Sequence, residues 1–504
     1  MKNFIQIVSI FTILLFSFRM QAEPWIDTSD IYLKANIQLL ADSGHIVTPV
    51  TTYPLMWHDI ARDLKQVVIE ELSTIEKNAY VYVNYQLQLA KKNSASVNLS
   101  LASSNIDFTS FGDNNHYQHS IQIQTSFLSD NFALNISPGY AYSENGDNKF
   151  IYDGSYIATS LGNWSISLGK QERWFGSMWD TSFSLSSNAQ PIPALSLSRI
   201  SAEPFKIPFT EQAIPWTMTT FMGLMDDDRV INNALLWGFR LNFKPFKNLE
   251  IGISRLAQWG GKSNPTGLCN FWDILIGKTN GEVSGSSSCN NGKYTIANQQ
   301  AGFDFRYSTT LFRTPIGFYG NYFAEDGANE SQLDLNFVTK AEIQLGFDTQ
   351  LDIFNTTTTA YVEYGDSLAD CGEREGKGDC YYEHSTYRTG LRYNGRALGN
   401  LYDNDAETIV IGAISQLQKN IKITTKLRWL NLNYDNSDLS PNNSIIGNPL
   451  TSIAKKTIML SVNMVHNYKN WEYILGGDFS SSNFKNNIND KRNANIYINV
   501  VYRL

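Results

Sequence analysis

Basic and aromatic side chains are the residues of this chain best placed to do chemistry, and their spacing points to binding. Much of the sequence alternates apolar and polar residues, so a strand there carries two chemically different faces. With the apolar parity outward, the inner face holds Arg173, Arg240, Arg306, Lys340, Lys422, Lys426, Arg428 and Arg503, against Glu250, Asp304 and Glu342. Eight basic groups meet three acidic ones there, although the whole chain has a net charge of −8. A lumen of that sign favours an anionic polymer, by field focusing and charge-assisted hydrogen bonds. The competing reading is a ladder of ion pairs that only holds the wall.

Aromatic residues cluster beside these cations. Trp174, Phe175 and Trp179 follow Arg173, Trp259 precedes a glycine pair, and Phe271-Trp272-Asp273 sits in a long polar stretch. Sugar rings present apolar C–H faces that stack on such side chains, while carboxylates and amides bond the hydroxyls. Trp174, Trp179 and Trp272 are therefore candidate stacking surfaces, with Asp273, Glu325 and Asp326 as hydroxyl acceptors or arginine partners. Arg173, Lys340 and Arg428 lie toward the outer ends of their strands and can meet a polymer; Lys422 and Arg503 lie toward the other end. A packed loop plug or an interfacial aromatic girdle would use the same residue types. Trp259 shares the outward parity, which suits the girdle.

Catalysis finds little support. None of the six histidines, His45, His58, His116, His119, His384 and His466, stands beside a nucleophile in a recognisable arrangement. Phosphate-cradling glycine loops and zinc spacings are lacking too. The expectation is a binding protein with no catalytic residue, no metal, no cofactor and no nucleic-acid partner. The four cysteines fall as two local pairs in Gly/Ser/Asp-rich stretches, 260–298 and 366–406. In an exported protein that spacing predicts two loop disulfides, Cys269–Cys289 and Cys371–Cys380. A zinc site would want CxxC spacing or nearby histidines, and only His384 is close.

Export is legible at the start. Lys2, the apolar run Phe4 to Phe18 and Met20-Gln21-Ala22 before Glu23 read as a signal peptide over 1–22. The run is short for a membrane span, and no cysteine follows the cleavage site. Residues 23–92 read as a periplasmic helical bundle. Thr28 or Ser29 can cap a helix bearing Ile31, Ala35 and Leu39, with Gly44 just past its end, and Pro54 opens a second segment with Leu55, Ile60 and Leu64. The stretch 78–89 is ambiguous, because Tyr80, Tyr82 and Tyr85 also suit a strand.

Residues 93–504 change to period two, most clearly in Leu235 to Phe243, Ile421 to Trp429 and Ile496 to Leu504. Each such segment is about 10 residues, the length of a tilted strand that crosses a bilayer. Only 17% of residues are charged, 13% are aromatic, and mean hydropathy is −0.27, as strands facing lipid on one side and water on the other require. Tight connections near Asp130, Gly162, Pro245, Arg313, Asp348, Lys419 and Tyr468 alternate with long polar segments at 174–193, 260–298, 366–406, 433–455 and 482–492. Strict alternation holds if Tyr387 to Asn394 belongs to the loop 366–406, which leaves about eighteen strands. The segment 202–214 is then a long connection at the periplasmic end. The expected fold is an antiparallel outer-membrane β-barrel with a small N-terminal α-helical bundle.

Several stretches carry a family likeness. Lys244 to Gly261 (KPFKNLEIGISRLAQWGG) is followed by Phe271-Trp272-Asp273, Ala301 to Phe305 (AGFDF), Phe318-Tyr319-Gly320 and Glu325-Asp326. With the opening Leu39 to Gly44 (LLADSG) and Tyr53-Pro54-Leu55, this order resembles the Wzi-type capsule assembly family from about residue 28 to the C-terminus. The cysteine-bearing stretches 270–298 and 366–406 depart from it. The resemblance implies an eighteen-stranded outer-membrane barrel with a periplasmic helical bundle. It also implies a lectin that holds capsular or exopolysaccharide at the cell surface, with the export machinery as a further candidate partner beside outer-membrane lipid. Two function classes stay open, such a lectin and a diffusion channel for oligosaccharides or anions. On the lectin reading, an acidic polysaccharide would meet Arg173, Trp174, Trp179, Trp272, Asp273, Glu325, Asp326, Lys340 and Arg428.

Overall fold

A computed structural model describes residues 23–113, 116–142, 148–208, 212–226, 228–279, 295–311, 314–325, 341–353, 356–370, 377–378, 381–384, 386–418, 420–436, 448–485 and 490–504. The signal peptide expected at 1–22 lies outside these residues. Period-two alternation becomes strand throughout the second part. The strands are β1 (Ser94–Ala102), β2 (His119–Leu128), β3 (Phe132–Ile136 with Gly139–Tyr142) and β4 (Lys149–Ile151 with Tyr156–Leu161). Next come β5 (Trp164–Lys170), β6 (Pro193–Arg199), β7 (Trp216–Leu224), β8 (Leu235–Phe246) and β9 (Leu249–Trp259). Then follow β10 (Ala297–Leu311), β11 (Thr314–Glu325), β12 (Ala341–Ile353), β13 (Thr356–Asp366) and β14 (Ala406–Gln418). The last are β15 (Ile421–Leu432), β16 (Lys455–Tyr468), β17 (Trp471–Phe484) and β18 (Lys491–Arg503).

Consecutive strands pair antiparallel, and β18 closes the ring on β1 through Val500↔Leu99 and its neighbours. The two halves of β3 both pair with β2, and Pro138, which lacks an N–H to give the ladder, stands between them. The two halves of β4 pair in turn with the halves of β3. Eighteen strands result. Tight connections and long ones alternate around the ring, although Asp348, expected at a tight connection, lies within β12, and 387–394 contributes only the two-residue ladder Arg392–Tyr393. The one long connection at the tight end, 200–215, has a physical reason. Its Ser201 Oγ and Ala202 N donate to Asp59 at 3.1 and 2.5 Å, so it reaches inward to hold the helical part.

Burial is inverted relative to a soluble barrel. Along β10 the apolar Phe303 and Tyr307 are exposed, while Asp304 and Arg306 are buried. Only lipid makes an outward apolar band of this kind stable.

Three helices precede the barrel: α1 (Ile31–Asp42), α2 (Trp57–Leu64) and α3 (Thr74–Ala90). The cap of α1 is Asp30, whose Oδ1 accepts from Tyr32 N and Leu33 N at 2.8 and 3.0 Å. Thr28, one of the expected caps, instead donates to Glu172, just past the end of β5. The ambiguous stretch 78–89 is helical. Ser73 and Glu76 form a capping box, and Ala79, Val83 and Leu87 recur at helical spacing to bury one face on the cluster that contains α1. That cluster extends to Tyr319, Tyr361, Val410 and Ile414 of the wall, so α1 sits in the lumen rather than below it.

Candidate functional site

The lumen is occupied from both ends. From the end with tight turns, which is periplasmic in outer-membrane barrels, come α1 and the segment 46–53. The β8–β10 wall holds that segment through Glu250, whose Oε1 accepts from Val50 N, Thr51 N and Thr51 Oγ1 at 2.7–2.9 Å. From the other end, segments 104–113, 171–192 and 381–405 fold inward. Their Tyr381, Tyr382, Tyr387 and Tyr402 are fully buried.

Five of the inner-face cations that the spacing singled out are engaged there. Arg240 pairs with Asp304 and bonds Thr51 and Thr52, all buried. Arg306 bridges Asp348 of β12, at 2.8 Å, and Asp42 at the end of α1. Lys422 reaches Tyr82 and lies 3.8 Å from Asp30. Lys426 stands 3.5 Å from Asp180 and 3.7 Å from Asp113, and Arg428 gives Asp180 Oδ1 bonds of 2.8 Å (Nη2) and 3.2 Å (Nε). Burial alone would raise the Asp180 carboxyl, but Arg428 and Lys426 hold it down at about 2. The excess of eight basic over three acidic residues therefore does not survive as an open positive field. Asp348 and Glu363 also point inward, and Asp30, Asp42, Asp113 and Asp180 arrive from the inserted segments. Asp348 and Glu363 share parity with Glu342 and Tyr361, so alternation could have found them. Asp180 lies in an aperiodic loop and gave no such signal.

The tryptophans have a different role from the one expected. Trp174 and Trp179 are fully buried, and with Phe111 they surround the ammonium of Lys34 on α1 at 4.7, 4.9 and 4.3 Å from the ring centroids. Lys34 Nζ also donates to Met178 O at 2.6 Å. Burial pushes that ammonium well below the usual lysine range, with the charge of Glu363 pulling the other way. Trp179 is fixed further by Nε1 donating to Asp348 Oδ2 at 2.8 Å and N donating to Glu363 Oε1 at 2.6 Å. Neither indole can offer a face to a polymer, because each already packs a cation belonging to the chain itself.

The remaining expected residues scatter. Arg173 is buried, donates to Gln171 O and Ser196 Oγ at 3.0 and 2.9 Å, and lies over Phe221 at 4.3 Å; burial lowers its pKa to about 10. Glu325 accepts from Tyr382 N at 2.6 Å and so anchors the inward-folded loop. Asp273 is buried and accepts from Thr295 Oγ1 at 2.9 Å. Trp272 is exposed, beside Phe271 and Ile274, which pack on the outward-facing Trp237 and Trp259 of the wall. Asp326 and Lys340 lie outside the described residues, and Arg503 is an exposed partner of Glu472.

Space remains on one side. The inserted segments pack tightly on β8–β14, where Arg240, Ser254, Glu342 and Gln344 are buried; along β16–β18 the inner residues Ser461, Asn463, Asp478 and Tyr497 stay partly accessible. Between them lies a cleft open to solvent, lined also by Phe108, Asp113, Lys426, Arg428 and Asn499. Asn463 donates to Tyr497 OH at 3.4 Å, and its Oδ1 accepts no bond among the described residues. Tyr497 lies across Gly476, where a Cβ would come within 2.1 Å of its ring. Amides, hydroxyls, internally paired charges and two aromatic rings make a lining that can bond sugar hydroxyls and receive sugar C–H faces.

Cys269 is disulfide-bonded, while Cys289, Cys371 and Cys380 lie outside the described residues. Peptide mapping without reduction should find Cys269–Cys289 and Cys371–Cys380; a free thiol or a 289–371 linkage would refute that pairing. Each bond should contribute on the order of 3 kcal/mol, confined to its own loop.

A family model described as capsule assembly protein Wzi matches residues 89–496. Among curated relatives, an uncharacterized 55.8 kDa protein in the cps region of Klebsiella pneumoniae is 24% identical over 301 residues. The match covers 59% of this chain and 58% of that relative, less than two thirds of its length. Among solved structures is Wzi of Escherichia coli, an outer membrane protein involved in group 1 capsule assembly and described as a carbohydrate-binding β-barrel. It superposes with a TM-score of 0.77 at 20% identity, over 94% of this chain and 98% of that one. Its likeness speaks for the fold, and the family model covers most of the chain, so this outer-membrane β-barrel belongs to the Wzi capsule assembly protein family.

Proposed function

We propose that the protein binds capsular or exopolysaccharide and holds it at the cell surface, without making or breaking a bond. The observation that carries this reading is the filled lumen. Strand-borne cations that a channel would offer to passing anions are bound instead to carboxylates and hydroxyls, several of them on the inserted segments, and what stays open is a cleft with a sugar-compatible lining. Nothing in that lining requires the polymer to be acidic, because its Lys426 and Arg428 are already paired. Membrane lipid surrounds the wall, and polysaccharide export machinery is a partner this role would need.

The test joins three measurements. A strain lacking the protein should still make its polymer but shed it into the medium. Purified barrel should bind that polymer and stay electrically silent in a planar bilayer. Tyr497→Ala should weaken binding about five-fold, the loss of one ring contact of about 1 kcal/mol, with the barrel's heat-modifiable mobility unchanged. A barrel that conducts freely and binds no polymer would overturn the proposal in favour of a channel.

A further inference from the structure

The described part of the connection from β9 to β10 that follows the strand, 260–279, does not lie over the mouth. It leaves β9 at Gly260 and Gly261, both in the left-handed region with φ of 64° and 88°. There is no room for a side chain at Gly261, where a Cβ would come within 2.8 Å of Ile231 and 2.9 Å of Asn232 O. The chain then forms α4 (Leu268–Leu275), which packs on the outside of the barrel. Its Phe271 stacks on Trp259 and meets Trp237 edge-on, both at 5.6 Å, and Ile274 and Leu275 join the same cluster with Leu235, Phe239 and Ala257. All of these wall residues have the outward parity of β8 and β9.

Arg255 makes the arrangement specific. It also lies on the outward side of β9, opposite Phe239 and Ala301, where an arginine facing hydrocarbon would be costly. Its Nη1 and Nη2 donate to Leu275 O and Ile274 O at 3.0 and 2.6 Å, and it bonds Gln299, another outward residue. Backbone carbonyls at the end of α4 are thus satisfied by protein rather than by water, which a helix end needs beside lipid. The helix's own polar residues are turned inward as well: Asn270 donates to Thr295 Oγ1 at 3.2 Å, and Asp273 accepts from that hydroxyl.

On the face away from the wall, Leu268, Trp272 and Ile276 succeed one another at turns of the helix, 89%, 60% and 46% exposed. A short helix apolar on both faces belongs between two apolar media. One is the barrel wall. We infer that the other is the outer leaflet: α4 lies against the outer end of β8 and β9 with Leu268, Trp272 and Ile276 among the acyl chains of outer-leaflet lipid. The surface is continuous with the exposed apolar side chains Ile253 and Phe303 of the same wall, Trp272 is the residue type favoured at a membrane–water boundary, and Lys262 and Lys278 flank the helix where their ammonium groups can reach headgroups. By this assignment Trp272 is a lipid contact and not a sugar-stacking surface.

The test places the photoreactive residue p-benzoylphenylalanine singly at 268 and at 272 in the full-length protein, in the outer membrane of living cells. The same residue at 303, on the lipid-facing wall, is the positive control, and at the exposed loop residue Tyr434 the negative one. Mass analysis after irradiation should show lipid adducts at 268 and 272 with at least half the yield at 303 and at least ten times that at 434. Polysaccharide adducts at 272, protein adducts, or a lipid yield no higher than at 434 would each overturn the assignment. Because both positions are exposed, the barrel's assembly should be unaffected, and its heat-modifiable mobility verifies that in every variant.

Discussion

Asp180→Ala should cost the folded barrel about 3–5 kcal/mol, the scale on which a buried charge left without its partner destabilises a protein. Asp180 is fully buried and lies 2.8 Å from the Arg428 guanidinium and 3.5 Å from the Lys426 ammonium, and Tyr402 of the inward-folded loop donates to it. Removing the carboxylate leaves the buried Arg428 guanidinium without its counter-charge and cuts the tie between wall and loop together. Arg428→Glu should be as damaging for the same reason, whatever it does to polymer binding. By contrast, Asp180→Leu with Arg428→Met should recover most of the loss, since well-packed apolar residues can replace a buried ion pair at little cost. Unfolding of the purified barrel by heat or denaturant gives the comparison; a loss under 1 kcal/mol in Asp180→Ala would remove Asp180 as an anchor. Acid offers a second view. The Asp180 carboxyl titrates near 2 in the folded protein, below the usual value of about 3.9. Its stabilisation is therefore present above that usual value, falls as pH drops from about 4 toward 2, and amounts to about 2–3 kcal/mol.

The second large effect is expected at Lys34, and its sign depends on the replacement. Lys34→Glu puts an anion where three aromatic rings and Met178 O present negative charge, close to Glu363. It should unseat α1, with a loss of several kcal/mol from cation–π contacts of up to about 2 kcal/mol each together with the buried anion. Channel openings should then appear in a planar bilayer where the unaltered barrel is silent. Lys34→Met should behave oppositely. Methionine has similar length, suits an aromatic cage and carries no charge to desolvate, so stability should stay within about 1.5 kcal/mol and the barrel should remain closed. A silent Lys34→Glu barrel with unaltered stability would show that the cage does not hold the plug. Open Lys34→Met barrels would show that the charge itself is indispensable.

Sequence alone determined what repeats. Alternation along segments such as Leu235 to Phe243 and Ile421 to Trp429 requires a wall with one apolar face, and the alternation of tight and long connections counts eighteen strands, because both rules act between residues close in the chain. The helices α1 to α3 were legible for the same reason, except at 78–89, where Tyr80, Tyr82 and Tyr85 also suit a strand and the capping box of Ser73 and Glu76 decides for helix. Tertiary structure decided what the inner face is for. Parity states that Arg306 and Arg428 point inward but cannot state what stands opposite. Their partners Asp42 and Asp180 lie 264 and 248 residues away, one at the end of a helix and the other in an aperiodic loop. Trp174 and Trp179 were placed correctly off the wall, yet only packing reveals that Lys34 already fills their cage. The direction of a loop is likewise invisible from composition. The stretches 260–279 and 381–405 look alike in polarity, but one folds outward onto Trp237 and Trp259 and the other inward onto Asp180. A two-residue reversal at Gly260-Gly261 and the position of a few apolar side chains choose between lipid and lumen, and those contacts exist only once the barrel has closed.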